Sequence, residues 1–332
     1  MVNSKFFNNK NILITGGTGT FGTAMINYLL KISNPKSITI FSRDEMKQWY
    51  LKESLSKYQN VKFVLGDVRD KERLNNVLNN KTDYVFHAAA TKIVPTSEFN
   101  PEECIKTNIM GAMNVIDCCK ANKVKRVIAL STDKASSPIN LYGATKLCSD
   151  KLFVAQNIND TSTKFGVVRY GNVIASRGSI IPFFKTLANK EHFPITHPEM
   201  TRFFISIDDA VKFSCLGMTK MQGGEIFVKK IKSINIIDLA KSIKQNAKFK
   251  ITGIRPGEKI HEQMIGSDEA LNTAEFIDHY EILTNIKEKT KRIKKGSKSV
   301  SENFIFSSKT AKKFSIDEFR KIIKKLAWRR KF

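Results

Sequence analysis

Thr15-Gly-Gly-Thr-Gly-Thr-Phe-Gly22 is the stretch whose reading decides the fold. It follows the apolar run Asn11-Ile-Leu-Ile-Thr15 and precedes Phe21 to Ile32, where apolar residues recur at helical spacing, so the chain opens as strand, turn and helix. A tight turn needs residues without a Cβ, a pyrophosphate must approach the backbone closely, and a helix N-terminus offers it unpaired N–H groups. Gly16, Thr18, Gly19, Thr20, Phe21 and Gly22 are therefore the predicted phosphate cradle of a dinucleotide site.

Outward from this turn the strand pattern repeats at Ser37 to Phe41, Val61 to Leu65, Asp83 to Phe86, Arg126 to Leu130 and Lys164 to Val168, with helix-like stretches in most of the gaps. Parallel neighbours need crossover connections, so the alternation predicts an α/β fold with a doubly wound parallel sheet of the Rossmann type. We expect residues 1–170 to form the dinucleotide-binding domain, with a return segment near 203–228, and residues 171–332 to form mainly a smaller substrate-binding domain. Pro182, Pro194, Pro198 and Pro256 punctuate shorter elements there. Lys287 to Lys298, rich in basic residues and without apolar period, is read as an exposed loop. Ser315-Ile-Asp-Glu318 is read as a capping box before an amphipathic helix running to Trp328.

The 332 residues hold 41% hydrophobic and 26% charged side chains, which excludes collagenous, wholly disordered and disulfide-scaffold classes. Cys104, Cys118, Cys119, Cys148 and Cys215 form an odd set without C-x-x-C spacing, read as reduced thiols. No apolar run approaches a membrane span and the start lacks a signal-peptide pattern, so a cytoplasmic location is expected. With 56 Lys and Arg against 31 Asp and Glu, the net charge is +25. That excess fits an anionic partner (nucleic acid, a membrane face or a phosphorylated small ligand) or a solvated basic surface, and composition does not choose among them. The five histidines show no metal spacing, and no metal is expected.

About 20 residues beyond the phosphate turn, the second strand ends in Ser42-Arg43-Asp44. An acid alone at that position holds two ribose hydroxyls, whereas Ser42, Arg43 and Lys47 favour a 2′-phosphate, so NADP is predicted over NAD. Tyr142 and Lys146 stand four residues apart on one helical face. A nearby ammonium lowers a phenol pKa of about 10 and lets Tyr142 exchange a proton with a sugar hydroxyl as hydride leaves. The preceding strand delivers Ser131-Thr-Asp-Lys134 to the sheet edge where ligands bind. A Tyr, Lys and Ser/Thr set, with Thr132 as its hydroxyl, suffices for hydride transfer, so the added Asp133 and Lys134 predict a second step. In an extended backbone they would point to opposite sides and bracket one carbon–carbon bond, as elimination of water requires. Lys134 can act as base only when neutral, a state that burial and the cations Lys146 and Lys92 are expected to promote.

From Asn11 to about Met264 the chain resembles the inverting UDP-N-acetylglucosamine 4,6-dehydratases, extended short-chain dehydrogenase/reductases that open the pseudaminic acid route used in flagellin glycosylation. The glycine spacing, Phe41-Ser-Arg-Asp-Glu45, Leu65-Gly-Asp-Val-Arg-Asp70, His87-Ala-Ala-Ala90 and Glu103-Cys-Ile-Lys-Thr-Asn-Ile-Met-Gly111 carry the likeness. So do Leu130-Ser-Thr-Asp-Lys-Ala135, Asn140-Leu-Tyr-Gly-Ala-Thr-Lys146, Val168-Arg-Tyr-Gly-Asn-Val173, Ser176-Arg-Gly-Ser179, Met200-Thr-Arg-Phe203 and Ile254-Arg-Pro-Gly-Glu-Lys259. The resemblance implies oxidation at sugar carbon 4 supported by Tyr142 and Lys146, proton removal from carbon 5 by Lys134, and protonation of the leaving 6-hydroxyl by Asp133. Hydride would return to carbon 6 within the same turnover, which makes the class a lyase. Asp67, Val68, Ala88, Ala90, Lys92 and Asn108 would join the glycine turn, Tyr142 and Lys146 around the cofactor. Lys92, Asn172, Val173, Arg177, Ser179, Thr196, Arg202, Arg255 and Glu258 would meet the sugar nucleotide, and a homo-oligomer is implied. The chain departs from the family with Ile93 in Lys92-Ile-Val-Pro95, where Lys-His-Val-Pro is usual, and with Lys229, where proline is usual.

Three readings compete. A retaining dehydratase would be expected to carry Glu at position 134, and a UDP-sugar 4-epimerase needs no acid and base pair. A nucleic-acid-binding protein on a dehydrogenase scaffold would use the charge but not Tyr142, Lys146, Asp133 and Lys134 together.

Overall fold

The computed structural model describes residues 3–157, 162–174, 176, 178–189 and 192–327. Six parallel strands, β1 (Asn11–Thr15), β2 (Ser37–Ser42), β3 (Val61–Leu65), β4 (Tyr84–His87), β5 (Arg126–Thr132) and β6 (Lys164–Tyr170), lie in the order β3-β2-β1-β4-β5-β6. The order reverses between β1 and β4, so their carboxyl ends leave a crevice there. The strand Ile226–Lys229 adds in parallel to β6, and His279–Ile282, Thr273–Glu275 and Lys298–Ser299 then extend the sheet antiparallel, giving ten strands among the described residues. The chain thus returns to the large sheet over a longer stretch than 203–228, and Thr201–Ile205 instead joins a three-stranded sheet with Asn172–Val173 and Ser233–Asn235.

Apolar residues cover both faces of the large sheet, as buried parallel strands require. Val85, Val127, Phe153 and Phe165 pack in one layer, and Ile14, Met25, Phe86, Val211 and Phe227 in the other. A third cluster, with Phe184, Phe193, Phe204, Leu239 and Phe319, forms the interior of the smaller layer that faces the crevice.

Local chemistry explains where the structure departs from expectation. Residues Ile286–Lys294 form a helix rather than a loop, because Asn285 accepts the Glu288 N–H at 3.0 Å and starts it. Its Arg292 is buried and ion-paired with Glu225 and Glu281, so a run that looks solvated by composition spends its central cation inside the protein. Ser315 accepts the Glu318 N–H at 3.1 Å, but the Glu318 carboxylate goes to Lys232 at 2.7 Å, so half of the capping box operates. That helix runs from Ile316 to Ala327, and Trp328 lies outside the described residues. No helix of the described residues is long and apolar enough to cross a membrane. Cys104, Cys118, Cys119 and Cys215 are buried and Cys148 exposed, all as free thiols.

Arg169, on β6, is fully buried. It donates to Asp150 at 3.2 Å and to Glu269 at 2.9 Å, and to the Met264 carbonyl at 2.8 Å. The pair ties the helix Leu141–Ala155 to a segment more than a hundred residues later. Arg169→Met leaves two buried carboxylates facing an apolar chain, and should cost about 3–5 kcal/mol of unfolding free energy. Chemical denaturation reads this directly, and a loss below about 1 kcal/mol would deny Arg169 that role.

Candidate active site

A cleft of about 1370 Å³ opens along the carboxyl ends of β1 to β6 and is closed on its far side by the smaller layer. The phosphate turn forms one end. Gly16 has φ +66°, and a Cβ there would stand 2.8 Å from the Ala88 carbonyl, while a Cβ on Gly22 would stand 2.4 Å from Gly17. Glycine at 16 lets β1 run against β4, and glycine at 22 lets the helix Thr20–Ile32 start directly over the turn. Its N-terminus and the adjoining groove, which runs from Gly16 past Ser42 and Arg43 to Asp67 and Val68, fit a dinucleotide. Thr18, Gly19, Thr20, Phe21, Gly22, Asp44, Lys47, Ala88, Ala90 and Lys92 line the same groove.

At the ribose end, Ser42 is buried and accepts from Gln48 at 3.0 Å. The exposed Arg43 reaches Asp67, which is half-buried and also held by Arg69 at 2.7 Å, across 3.3 Å, and Lys47 pairs with Asp44 in an exposed position. Such pairs are weak in water and are readily exchanged for a stronger anion. Asn108 does not line the cleft. It is buried in a π-type turn, accepts from Thr91 N–H at 2.9 Å and donates to the Thr91 carbonyl and the Thr145 hydroxyl at 3.0 Å each. Its amide is spent clamping the Ala88–Lys92 wall to the helix that carries Tyr142 and Lys146.

That helix, Leu141–Ala155, starts because Asn140 accepts the Gly143 N–H at 2.8 Å. Tyr142 and Lys146 then fall one turn apart at the cleft wall. Burial pushes the Tyr142 phenol up to about 12, opposed by Lys134 and by a hydrogen bond with Thr132. Burial pulls the Lys146 ammonium below its ordinary value, opposed by Asp150 and Cys104. The cation that acts on the phenol is therefore Lys134, and burial outweighs it.

Asp133 and Lys134 do not lie on opposite sides of an extended strand. Thr132 accepts the Lys134 N–H at 3.3 Å, ends β5 and turns the next three residues, Asp133–Ala135, into a 3-10 turn. The Lys134 ammonium then donates to Asp133 Oδ1 at 2.9 Å, and Thr132 donates to the same oxygen at 3.0 Å. Asp133 is fully buried, with Oδ2 unpartnered. Burial raises its carboxyl above the ordinary value, Lys134 opposes this and Glu262 adds to it.

Lys134 is also not neutral, contrary to expectation. Burial alone would pull its ammonium down, but Asp133 and Glu262 outweigh burial and the facing cation Arg202, and the net shift is upward. Glu262 is the residue that the sequence reading missed. It is buried, lines the cleft and lies 3.3 Å from the Lys134 ammonium. Nothing in His261-Glu262 marks it, because the contact spans 128 residues of chain and is created by the fold.

Asn172, Val173, Ser179, Thr196, Arg202, Arg255 and Glu258, predicted to meet the sugar nucleotide, line the cleft, as do Ile93 and Phe183. Arg202 is buried and donates to the carbonyls of Thr201, Lys259 and Ile260 at 2.8, 2.8 and 3.0 Å, so it also braces this wall. Arg255 is exposed and pairs with Glu258 at 3.1 Å. Arg177 lies outside the described residues. Among the described residues no group of His, Cys, Asp and Glu could hold a metal ion.

The polysaccharide biosynthesis protein family matches residues 12–284. An inverting UDP-N-acetylglucosamine 4,6-dehydratase of Campylobacter jejuni is 54% identical over 285 residues, covering 85% of each chain. A UDP-glucose 4-epimerase of Rickettsia bellii is 40% identical over 330 residues, covering 96% of each. The X-ray structure of Pen from Bacillus thuringiensis superposes with a TM-score of 0.88 at 34% identity, over 97% of this chain and 98% of that one. The glycine turn, the doubly wound sheet and these matches agree, and the chain belongs to the polysaccharide biosynthesis protein family, with the fold of an extended short-chain dehydrogenase/reductase.

Proposed function

We propose that this chain is a UDP-N-acetylglucosamine 4,6-dehydratase that inverts carbon 5, working with NADP. The Asp133–Lys134 hydrogen bond of 2.9 Å, at the sheet edge beside Tyr142, carries the reading. A 4-epimerase has no use for this acid and base, and a retaining dehydratase would be expected to carry Glu in place of Lys134.

The bound dinucleotide supplies hydride acceptance from sugar carbon 4 and hydride return at carbon 6. Tyr142 first gives up its own phenol proton, a loss that burial resists and the Lys134 cation assists, and then takes the proton of the 4-hydroxyl. The resulting ketone acidifies the carbon 5 proton, which passes to the Lys134 amine while Asp133 gives its proton to the departing 6-hydroxyl, and water leaves. A solvent-derived proton delivered to carbon 5 from the other face gives the L-arabino 4-keto sugar that would enter pseudaminic acid synthesis, and the proton taken from carbon 5 stays on Lys134, which restores the ion pair with Asp133. Both required forms come from the resting pair: one proton crossing from Lys134 to Asp133 leaves a neutral amine and a carboxylic acid. The raised carboxyl of Asp133 favours that crossing and the raised ammonium of Lys134 opposes it, so exclusion of water by bound sugar is what tips the balance, because a neutral pair costs less to bury than an ion pair. Arg202 and Arg255 are suited to a diphosphate.

NMR of the product formed in deuterated water should find deuterium at carbon 5 with inverted configuration, and Lys134→Ala should lower product formation by at least 10³-fold. A Lys134→Ala variant with full activity would remove the base from the scheme. For the cofactor, NADPH should bind at least tenfold more tightly than NADH in a fluorescence titration, and Arg43→Ala should erase most of that preference. Equal affinities in the unaltered protein would contradict the NADP assignment.

A further inference from the structure

The Lys134 ammonium is shared between two carboxylates, and the dehydration chemistry uses only one of them. Glu262 Oε1 stands 3.3 Å from Lys134 Nζ, its Oε2 is buried without a hydrogen-bond partner, and the residue lines the cleft. A buried carboxylate oxygen left unpartnered costs stability unless something else requires it there.

The backbone at Glu262 is held with care. Its N–H donates to Ser308 Oγ at 2.9 Å and its carbonyl accepts the Ser308 N–H at 2.8 Å, while Ser308 Oγ also meets Thr201 Oγ1 at 2.7 Å. The next residues, Gln263–Ile265, pair with Phe306–Ser307. The segment beyond residue 300, which carries none of the family motifs, thus serves as the mount for Glu262.

Resting on the dehydratase reading above, we propose that Glu262 is a positioning residue for the dehydration: it holds the Lys134 ammonium against Asp133 and provides a fixed negative charge that resists a second charge on Asp133, so that Asp133 can take up and then donate a proton. Asp133 faces Lys134, Glu262, Tyr142 and Lys259, and Glu262 faces Lys134, Arg202 and Lys259. Burial would raise the Glu262 carboxyl, but these three cations outweigh burial and keep it ionised, whereas Asp133 is shifted the other way. One carboxylate stays charged so that the other can serve as an acid.

The working pair holds one shared proton, so activity should be level between an acid limb, where Asp133 and Lys134 are both protonated, and an alkaline limb, where neither is. Glu262→Gln removes a negative charge that resists ionisation of Asp133. The acid limb of kcat/KM for UDP-N-acetylglucosamine should therefore move to lower pH by about one unit, a tenfold change in proton concentration. Glu262→Asp keeps the charge, so it should leave the limb in place while lowering kcat at least fivefold through the shorter reach.

A Glu262→Gln limb coincident with that of the unaltered enzyme overturns the proposal. Should that variant fail to fold by thermal melting, Glu262→Asp decides, and an unaltered kcat in it overturns the proposal equally. Absence of dehydratase activity in the unaltered protein would instead sink the functional reading on which this rests, so the two failures are distinct.

Discussion

A lysine ammonium shared by two buried carboxylates is the interaction on which the site depends. Charges removed from water are tolerated only when paired, and pairing keeps Lys134 protonated until something shifts the balance. Asp133, at 2.9 Å, is close enough to receive the proton and buried enough to hold it. On the proposed mechanism the arrangement stores an acid and a base as a single ion pair, which bound sugar would convert by excluding water.

Two distant parts of the chain meet to make it. β5 ends at Thr132, whose hydroxyl both turns the backbone and touches Asp133. Glu262 comes from the other wall, carried by a strand that pairs with Phe306–Ser307. Arg169 joins the two regions from below, through Asp150 on the helix of Tyr142 and Lys146 and through Glu269 just beyond Glu262. The Tyr142–Lys146 helix and the Asp133–Lys134–Glu262 cluster therefore share one buried frame.

The parallel sheet was legible because its signals are local: apolar runs of strand length, glycines at a strand–helix turn, and Tyr142 and Lys146 at helical spacing. Strand positions held within two residues for the same reason. Where the reading failed, a side-chain contact that periodicity does not encode decided the outcome. Asp133 and Lys134 read as an alternating extended pair, but the Thr132 hydroxyl bends them into a turn. Arg292 reads as one more surface cation, yet Glu225 and Glu281 draw it inside and its helix with it. Asn108 sits within a motif associated with the cofactor, yet its amide is consumed by Thr91 and Thr145. Glu262 has no local signature at all, since its meaning comes from a contact with a residue far earlier in the chain.

The most direct measurement is a crystal structure with UDP-N-acetylglucosamine and NADP bound together. The account predicts Lys134 Nζ within about 3.5 Å of sugar carbon 5, with Asp133 facing the 6-hydroxyl, the distances of a near-attack geometry. An amine still bound between Asp133 and Glu262 and turned from the hexose would leave the elimination without a base and contradict it.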